Sequence, residues 1–173
     1  MNALAICVLL YVTLQRLGEL ALARRNTARL LAAGGREVAA RHYPLIVAVH
    51  AAWIIGLWIF AWDRAPHFGW LYLFALLQGA RFWVLATLGP RWTTRIIIVP
   101  GETLVRRGPY RFLKHPNYVV VSGEIIVLPL AFGLPVFALV FSVLNAAVLF
   151  VRIRAEDKAL AELQHPADRH RPA

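Results

Sequence analysis

The segment GPYRFLKHPNY, residues 108–118, is polar, basic and interrupted by prolines, and it lies between long apolar runs. Pro116 disfavours a helical conformation at His115 and suits the first turn of a helix that follows. Gly108 and Pro109 predict a turn at the other end of the segment. The segment therefore predicts an ordered connection between the apolar runs before it and those after it.

The apolar runs on either side have the length of membrane helices. They lie at residues 3–22, 44–62, 68–89, 117–132 and 135–152. The chain of 173 residues is 60% hydrophobic with a mean hydropathy of +0.59, and a transmembrane helix needs about 20 mostly apolar residues. Residues 132–135, FGLP, predict a tight turn that makes the last two runs a hairpin. We therefore expect an all-α integral membrane protein with about five transmembrane helices, and one domain over residues 1–173.

The basic residues predict how this bundle is oriented. They concentrate in the connections 24–42 and 90–116 and in the tail 152–173, whereas the opposite side carries only Arg64. The positive-inside rule places those three segments in the cytoplasm and the N-terminus outside. The net charge of +10 is then explained by attraction to anionic lipids, and nucleic-acid binding is not expected. The Arg-rich, Lys-poor composition suggests a high-GC bacterium, so we expect the bacterial cytoplasmic membrane.

Several ionisable or amide side chains lie inside the predicted membrane helices. Arg16 and Glu19 are three residues apart, as are Gln78 and Arg81, so each pair shares a helical face. Glu124 lies about two turns beyond the predicted helix start, where a carboxylate is costly in an apolar setting. For the two pairs, structural pairing or snorkelling near a helix end is the favoured interpretation.

A second polar patch, RIRAEDKAL, covers residues 152–160 after the last apolar run. Arg152, Glu156 and Leu160 follow at four-residue spacing and share one helical face. Arg152 could hold a carboxylate bidentately, and Glu156 could accept hydrogen bonds from an ammonium or from hydroxyls. A solvated ion pair on an amphipathic tail helix explains this patch taken alone. Because both patches are predicted on one side of the membrane, we interpret them together as one charged site.

The connection before the first patch also has structure-forming features. Residues 95–99, RIIIV, are a short β-branched run that ends at the turn signal Pro100–Gly101. This run predicts either a short strand or an extended stretch on the membrane surface. The start of the next helix, near Pro116, presents unpaired backbone N–H groups and a dipole that favour an anion.

Together the two patches resemble the isoprenylcysteine carboxyl methyltransferase family, which is related to the phospholipid methyltransferases. That family's pattern is a Gly-Pro-Tyr-Arg segment, then Arg-His-Pro-x-Tyr, an apolar hairpin and a Glu-Glu-x-x-Leu tail. Here the matching stretches are RGPYR at 107–111, KHPNY at 114–118 and the patch 152–160. Lys114 stands where the family usually has arginine, and Asp157 replaces the second glutamate. The resemblance covers about residues 80–165.

The resemblance implies a membrane enzyme with S-adenosylmethionine in a cytoplasm-facing pocket, closed by the tail helix and by residues 90–116, which we call the connecting segment. The residues implied in cofactor binding are Gly108, Tyr110, His115, Pro116, Asn117, Tyr118, Arg154 and Glu156. Arg152 is implied as a catalytic residue that contacts cofactor or acceptor. Glu124 has two open interpretations: it positions or deprotonates the acceptor, or it pairs with a buried arginine. We assign no metal ligand.

The expected acceptor is lipophilic and reaches the pocket from the bilayer, since little of the chain lies outside the membrane. We expect O-methylation of a carboxylate, phenol or enol, as in a prenylated cysteine or an alkylpyrone or alkylresorcinol lipid. The expected acceptor-lining residues are Arg81, Trp92, Thr93 and Asn145. Alternatives are phospholipid N-methylation, an NADPH-dependent reductase similar to sterol reductases, and a non-enzymatic membrane protein.

Overall fold

The computed structural model describes residues 1–101, 103 and 105–164. The helices are α1 (Ala3–Ala32), α2 (Tyr43–Ala61), α3 (Phe68–Leu88), α4 (Pro116–Ala131) and α5 (Pro135–Gln164), the strands are β1 (Arg36–Val38) and β2 (Ile96–Ile98), and short 3-10 helices span Ala40–His42, Gly89–Arg91 and Gly108–Arg111. Helices α1, α2, α3 and α5 are long and apolar enough to cross a membrane, and α4 is a shorter apolar helix. The prediction of an all-α integral membrane protein is confirmed.

Two helices are longer than the apolar runs predicted. Helix α1 continues to Ala32, and α5 runs without a break from Pro135 to Gln164. The predicted tail helix is thus the continuation of the last membrane helix, because no glycine or proline interrupts residues 136–164. The end of the predicted cytoplasmic tail, residues 165–173, lies outside the described residues.

The predicted helix start and the predicted hairpin both occur. Helix α4 begins at Pro116. The turn between α4 and α5 contains Gly133 at a left-handed φ of 66°, and the backbone N–H of Leu134 donates to the carbonyl of Pro129 at 3.0 Å. A left-handed residue after a helix is the usual place for glycine. This turn makes α4 and α5 antiparallel neighbours.

Helix α4 is the most enclosed helix of the bundle, with α3 and α5 packed on either side of it. Its Ile125 and Leu128 are fully buried and pack with Trp53 and Leu57 of α2 and Leu9 of α1. Because α4 is enclosed by protein, residues that would be costly in lipid can be paired there.

The short β-branched run is a strand rather than an isolated extended stretch. Strand β2 pairs antiparallel with β1, with Arg36 opposite Ile98 and Val38 opposite Ile96. The sequence did not predict the partner strand. Ile96 and Ile98 form a small apolar cluster with Ala159 of α5. This cluster holds the connecting segment against the polar end of α5.

Candidate functional site

A cavity of about 760 Å³ lies between the connecting segment and the polar end of α5. Its walls come from the end of α1, residues 88–118 and residues 152–161. The two sequence patches therefore meet in one cavity. Its size lies within the range of small-molecule sites, which are about 300–1,000 Å³.

A chain of hydrogen bonds joins the two patches inside the cavity. Arg152 Nε donates to the hydroxyl oxygen of Tyr118 at 2.7 Å, and that hydroxyl donates to the carboxylate of Glu156. Arg152 and Glu156 are one turn apart on α5, and Tyr118 lies in the first turn of α4. Arg152 and Tyr118 are both buried. The chain fixes the Glu156 carboxylate at the cavity wall.

His115 strengthens the same junction. Its ring stacks on the Tyr118 ring, with centroids 5.3 Å apart, and its Nε2 donates to Asp157 Oδ1 at 2.9 Å. Lys114 Nζ lies 2.7 Å from the same carboxylate oxygen. Asp157 thus ties the start of α4 to α5, although sequence analysis gave it no role in the site. Its place beside Glu156 in the motif was the signal that could have identified it.

Tyr110 and Asn117 add uncharged polar groups to the cavity wall. Burial raises the pKa of Tyr110, and the nearby negative charge of Glu156 raises it further. The phenol is therefore neutral at physiological pH and can donate a hydrogen bond. The side-chain oxygen of Asn117 is buried and has no hydrogen-bond partner within the described part of the chain, so it can accept one from a ligand.

Gly108 has a packing role beside the cavity. Its φ of 57° is left-handed, and a Cβ atom there would collide with the side chain of Thr87. Only glycine tolerates this combination without strain. The tight turn brings the 3-10 helix that carries Tyr110 against the end of α3.

The predicted site residues divide into two groups. Those that line the cavity are Tyr110, His115, Asn117, Tyr118, Arg152 and Glu156, together with Trp92 and Thr93 from the predicted acceptor set. Those that do not line it are Gly108, Pro116, Arg154, Arg81, Glu124 and Asn145. Arg154 is exposed, with its guanidinium 4.1 Å from the centre of the Phe150 ring. Asn145 donates to Ser122 Oγ at 3.2 Å between α5 and α4.

Glu124 and Arg81 belong to a charged cluster in the interior of the bundle. Glu124 accepts hydrogen bonds from Arg16 Nη2 at 2.6 Å, Arg81 Nη1 at 2.8 Å and Gln78 Nε2 at 2.8 Å. Arg81 also forms an ion pair with Glu19, which pairs in turn with Arg16. The two arginines balance the two glutamates. This geometry supports the pairing interpretation of Glu124.

Helix α1 supplies a polar contact that sequence analysis missed. Asn26 is buried, and its side-chain nitrogen donates to the carbonyl oxygens of Trp92 at 2.8 Å and Gly89 at 3.2 Å. Leu30, one turn later, lines the cavity. Asn26 and the segment it holds are more than 60 residues apart along the chain and no local pattern connects them. Helix α1 therefore supports one wall of the cavity.

Comparison with known proteins identifies the family of this chain. Residues 70–162 match the model of the isoprenylcysteine carboxyl methyltransferase (ICMT) family. The uncharacterized protein YpbQ of Bacillus subtilis is 42% identical over 153 residues, which cover 86% of this chain and 91% of that protein. An uncharacterized protein of Haemophilus influenzae is 27% identical over 156 residues, which cover 86% of this chain and 90% of that protein. No solved structure shows a significant match. The chain therefore belongs to the isoprenylcysteine carboxyl methyltransferase family, whose members are membrane methyltransferases.

Proposed function

We propose that this protein is an S-adenosylmethionine-dependent methyltransferase that O-methylates a lipophilic acceptor carrying a carboxylate, phenol or enol. The observation that carries the proposal is the hydrogen-bond chain from Arg152 through Tyr118 to Glu156 in the wall of one cavity. It joins the two motif segments at a place that a small charged molecule can reach. The family match supports the reaction class.

The cavity residues fit the chemical groups of this cofactor. S-adenosylmethionine carries an ammonium, a carboxylate, ribose hydroxyls and an adenine edge. The Glu156 carboxylate suits the ammonium or the hydroxyls, and the basic lining suits the carboxylate. The unpartnered oxygen of Asn117 and the neutral phenol of Tyr110 suit groups that donate or accept hydrogen bonds. We assign cofactor binding to these residues together with His115 and Tyr118.

The bound cofactor would supply a methyl group on a sulfonium. The contribution of the protein is to place the acceptor oxygen in line and to exclude water. We assign the terminal nitrogens of Arg152 to the acceptor oxygen, because Nε is already used to hold Tyr118. An ionised carboxylate or acidic enol needs no base, and a phenol would react as its phenolate after its proton has passed to water. Glu124 is enclosed in its ion cluster away from the cavity, so we give it no part in proton transfer.

The acceptor would be held mainly by its apolar end. Trp92 and Thr93 line the cavity, and we assign them to the acceptor side. Arg81 and Asn145 contact other helices, so we assign them to packing of the bundle around the acceptor's path rather than to the cavity. We assign the protein to a bacterial cytoplasmic membrane, and the basic connections favour the cytoplasmic side for the cavity.

The cofactor assignment predicts a binding result in detergent-purified protein. Calorimetric titration with S-adenosylhomocysteine should give a Kd in the micromolar range, equivalent to about −8 kcal/mol. Glu156→Ala should weaken binding by about 1–3 kcal/mol, because the ligand loses a charged partner. Glu37→Ala is the matched control, since the Glu37 carboxylate does not line the cavity, although its partner Arg95 does. Binding of NADPH in place of the adenosyl ligand would contradict the proposal.

The acceptor assignment is tested with labelled S-adenosylmethionine. An alkylpyrone, an alkylresorcinol, a prenylcysteine and phosphatidylethanolamine are supplied at equal concentration in the membrane. Methylation of one of the three oxygen acceptors is the expected result. Methylation of phosphatidylethanolamine alone would establish N-methylation instead.

A further inference from the structure

The cavity has a basic edge formed by residues 106–114, RRGPYRFLK, which we call the basic lip. It contains four cationic side chains, and no acidic residue occurs between positions 103 and 114. Arg106, Arg111 and Lys114 line the cavity as well as belonging to this edge. A ligand at the mouth of the cavity therefore meets the basic lip.

Two apolar side chains project from the same edge. Phe112 is 72% exposed and Leu113 is 48% exposed. They lie four and three residues before Pro116, the first residue of the membrane helix α4. Side chains at such a helix end lie near the polar boundary of the bilayer, where aromatic and basic residues are typical. Exposed apolar groups beside cations suit this boundary, because the rings and chains enter the acyl region while the charges stay with the headgroups.

The basic lip is held rigidly by the end of α3. Its glycine packs against Thr87, and Arg107 Nη2 donates to the Thr87 carbonyl at 3.5 Å. Pro109 is buried, and its carbonyl accepts from the backbone N–H groups of Phe112 and Leu113, both at 3.1 Å. The exposure of these two side chains is thus imposed by the local fold.

Two arginines of the basic lip, Arg106 and Arg111, are available to bind an anionic ligand. Lys114 is paired with Asp157. Arg111 lies over the ring of Phe112, 5.6 Å from its centre. Within the part of the chain that the structure describes, neither Arg106 nor Arg111 forms an ion pair with a carboxylate. A phosphate group near both would receive charge-assisted hydrogen bonds.

We propose that the basic lip binds the headgroup of an anionic phospholipid at the mouth of the cavity. Arg106 and Arg111 contact its phosphate, and Phe112 and Leu113 insert beside its acyl chains. The apolar pair favours a lipid over a free phosphate, which has no apolar part to place against it. This lipid would lie where a lipophilic acceptor reaches the cavity, and that link to catalysis rests on the proposed function. The lipid site itself is independent of the proposed function.

The test uses the full chain in nanodiscs that contain equal amounts of phosphatidylglycerol and phosphatidylcholine. Native mass spectrometry after release into detergent measures how much of each lipid stays bound. Wild-type protein should retain phosphatidylglycerol selectively. The double variant Arg106→Gln/Arg111→Gln should lower that retention about tenfold or more, since each cation near the surface contributes attraction.

The matched control is Arg24→Gln/Arg25→Gln, which removes the same charge from exposed positions on α1. The proposal predicts little change in this control. An equal loss in both double variants would show general attraction and overturn it. Phe112→Ser/Leu113→Ser should also reduce retention, whereas full displacement of the lipid by inorganic phosphate would refute a lipid site. An unchanged Tm of each variant shows that the fold is intact. Binding of S-adenosylhomocysteine to the wild-type protein is measured separately, so failure of the lipid site is distinguished from failure of the proposed function.

Discussion

Replacement of Glu124 by glutamine tests whether this buried carboxylate is structural. Glu124 is fully buried and accepts hydrogen bonds from Arg16, Arg81 and Gln78 at 2.6–2.8 Å. Glutamine keeps the shape of the side chain but removes its charge. The four-residue ion cluster then changes from neutral to a net charge of about +1, with Glu19 left as the single balancing carboxylate.

The size of the effect follows from these contacts. Each hydrogen bond to a charged group contributes about 1.5–3 kcal/mol, and two of the three donors to Glu124 are guanidinium groups. Breaking one member of a buried ion-pair network destabilises by about 3–5 kcal/mol, because the partner charge is left uncompensated. For a chain of this length that corresponds to a fall in Tm of about 6–20 °C.

The measurement is thermal unfolding in detergent at a fixed scan rate, supported by the half-life of S-adenosylhomocysteine binding at one temperature. Glu37→Gln is the control. It breaks the partly exposed pair with Arg95 and should cost less than about 1 kcal/mol. The pair of variants Glu124→Leu and Glu124→Leu/Arg16→Leu adds a second comparison. The double variant should be the more stable, because it removes one charge of each sign.

A Glu124→Gln protein with a Tm within about 2 °C of wild type and no methyl transfer would refute the structural interpretation. It would assign Glu124 to the chemistry of the acceptor, the other interpretation that its sequence position allows.

Two further predictions concern α1 and the orientation of the bundle. Asn26→Leu should lower the free energy of unfolding by about 1–3 kcal/mol, because the buried carbonyl of Trp92 loses its donor; thermal unfolding measures this, and an unchanged Tm would show that the contact is dispensable. In a Cys7→Ala background, His67→Cys in intact cells should react with a membrane-impermeant maleimide, whereas Ala33→Cys should not, because the positive-inside rule predicts that the basic connections face the cytoplasm. Labelling at position 33 would contradict the predicted orientation.

Much of the fold could be predicted from local features of the chain. The five helices follow from apolar runs, and the start of α4 follows from Pro116. The hairpin follows from Gly133 and the proline after it. The length of α5 was underestimated, because hydropathy ends at Arg152 although helix propensity continues to Gln164. The length of an apolar run reflects the thickness of the membrane that it crosses, whereas the helix itself can continue beyond the membrane.

The candidate site was partly predictable from the sequence, because several of its residues stand close together in the chain. His115, Tyr118, Arg152 and Glu156 stand in two compact motifs, and the structure brings them to one cavity. Arg154 shares a motif with them but lies on the exposed side of α5, since residues two apart on a helix point in different directions. Motif membership alone does not determine which side chains reach a cavity.

The sequence by itself determined the membrane class, the helix order and the two polar segments, because hydropathy, proline and charge act over a few residues. Only the tertiary structure decided which buried charges pair and which walls enclose the cavity. Arg16 meets Glu124 across 108 residues of chain, and Asn26 meets Trp92 across 66. Such contacts depend on how the helices pack against each other, and the cost of leaving a polar group unpaired in an apolar interior selects them.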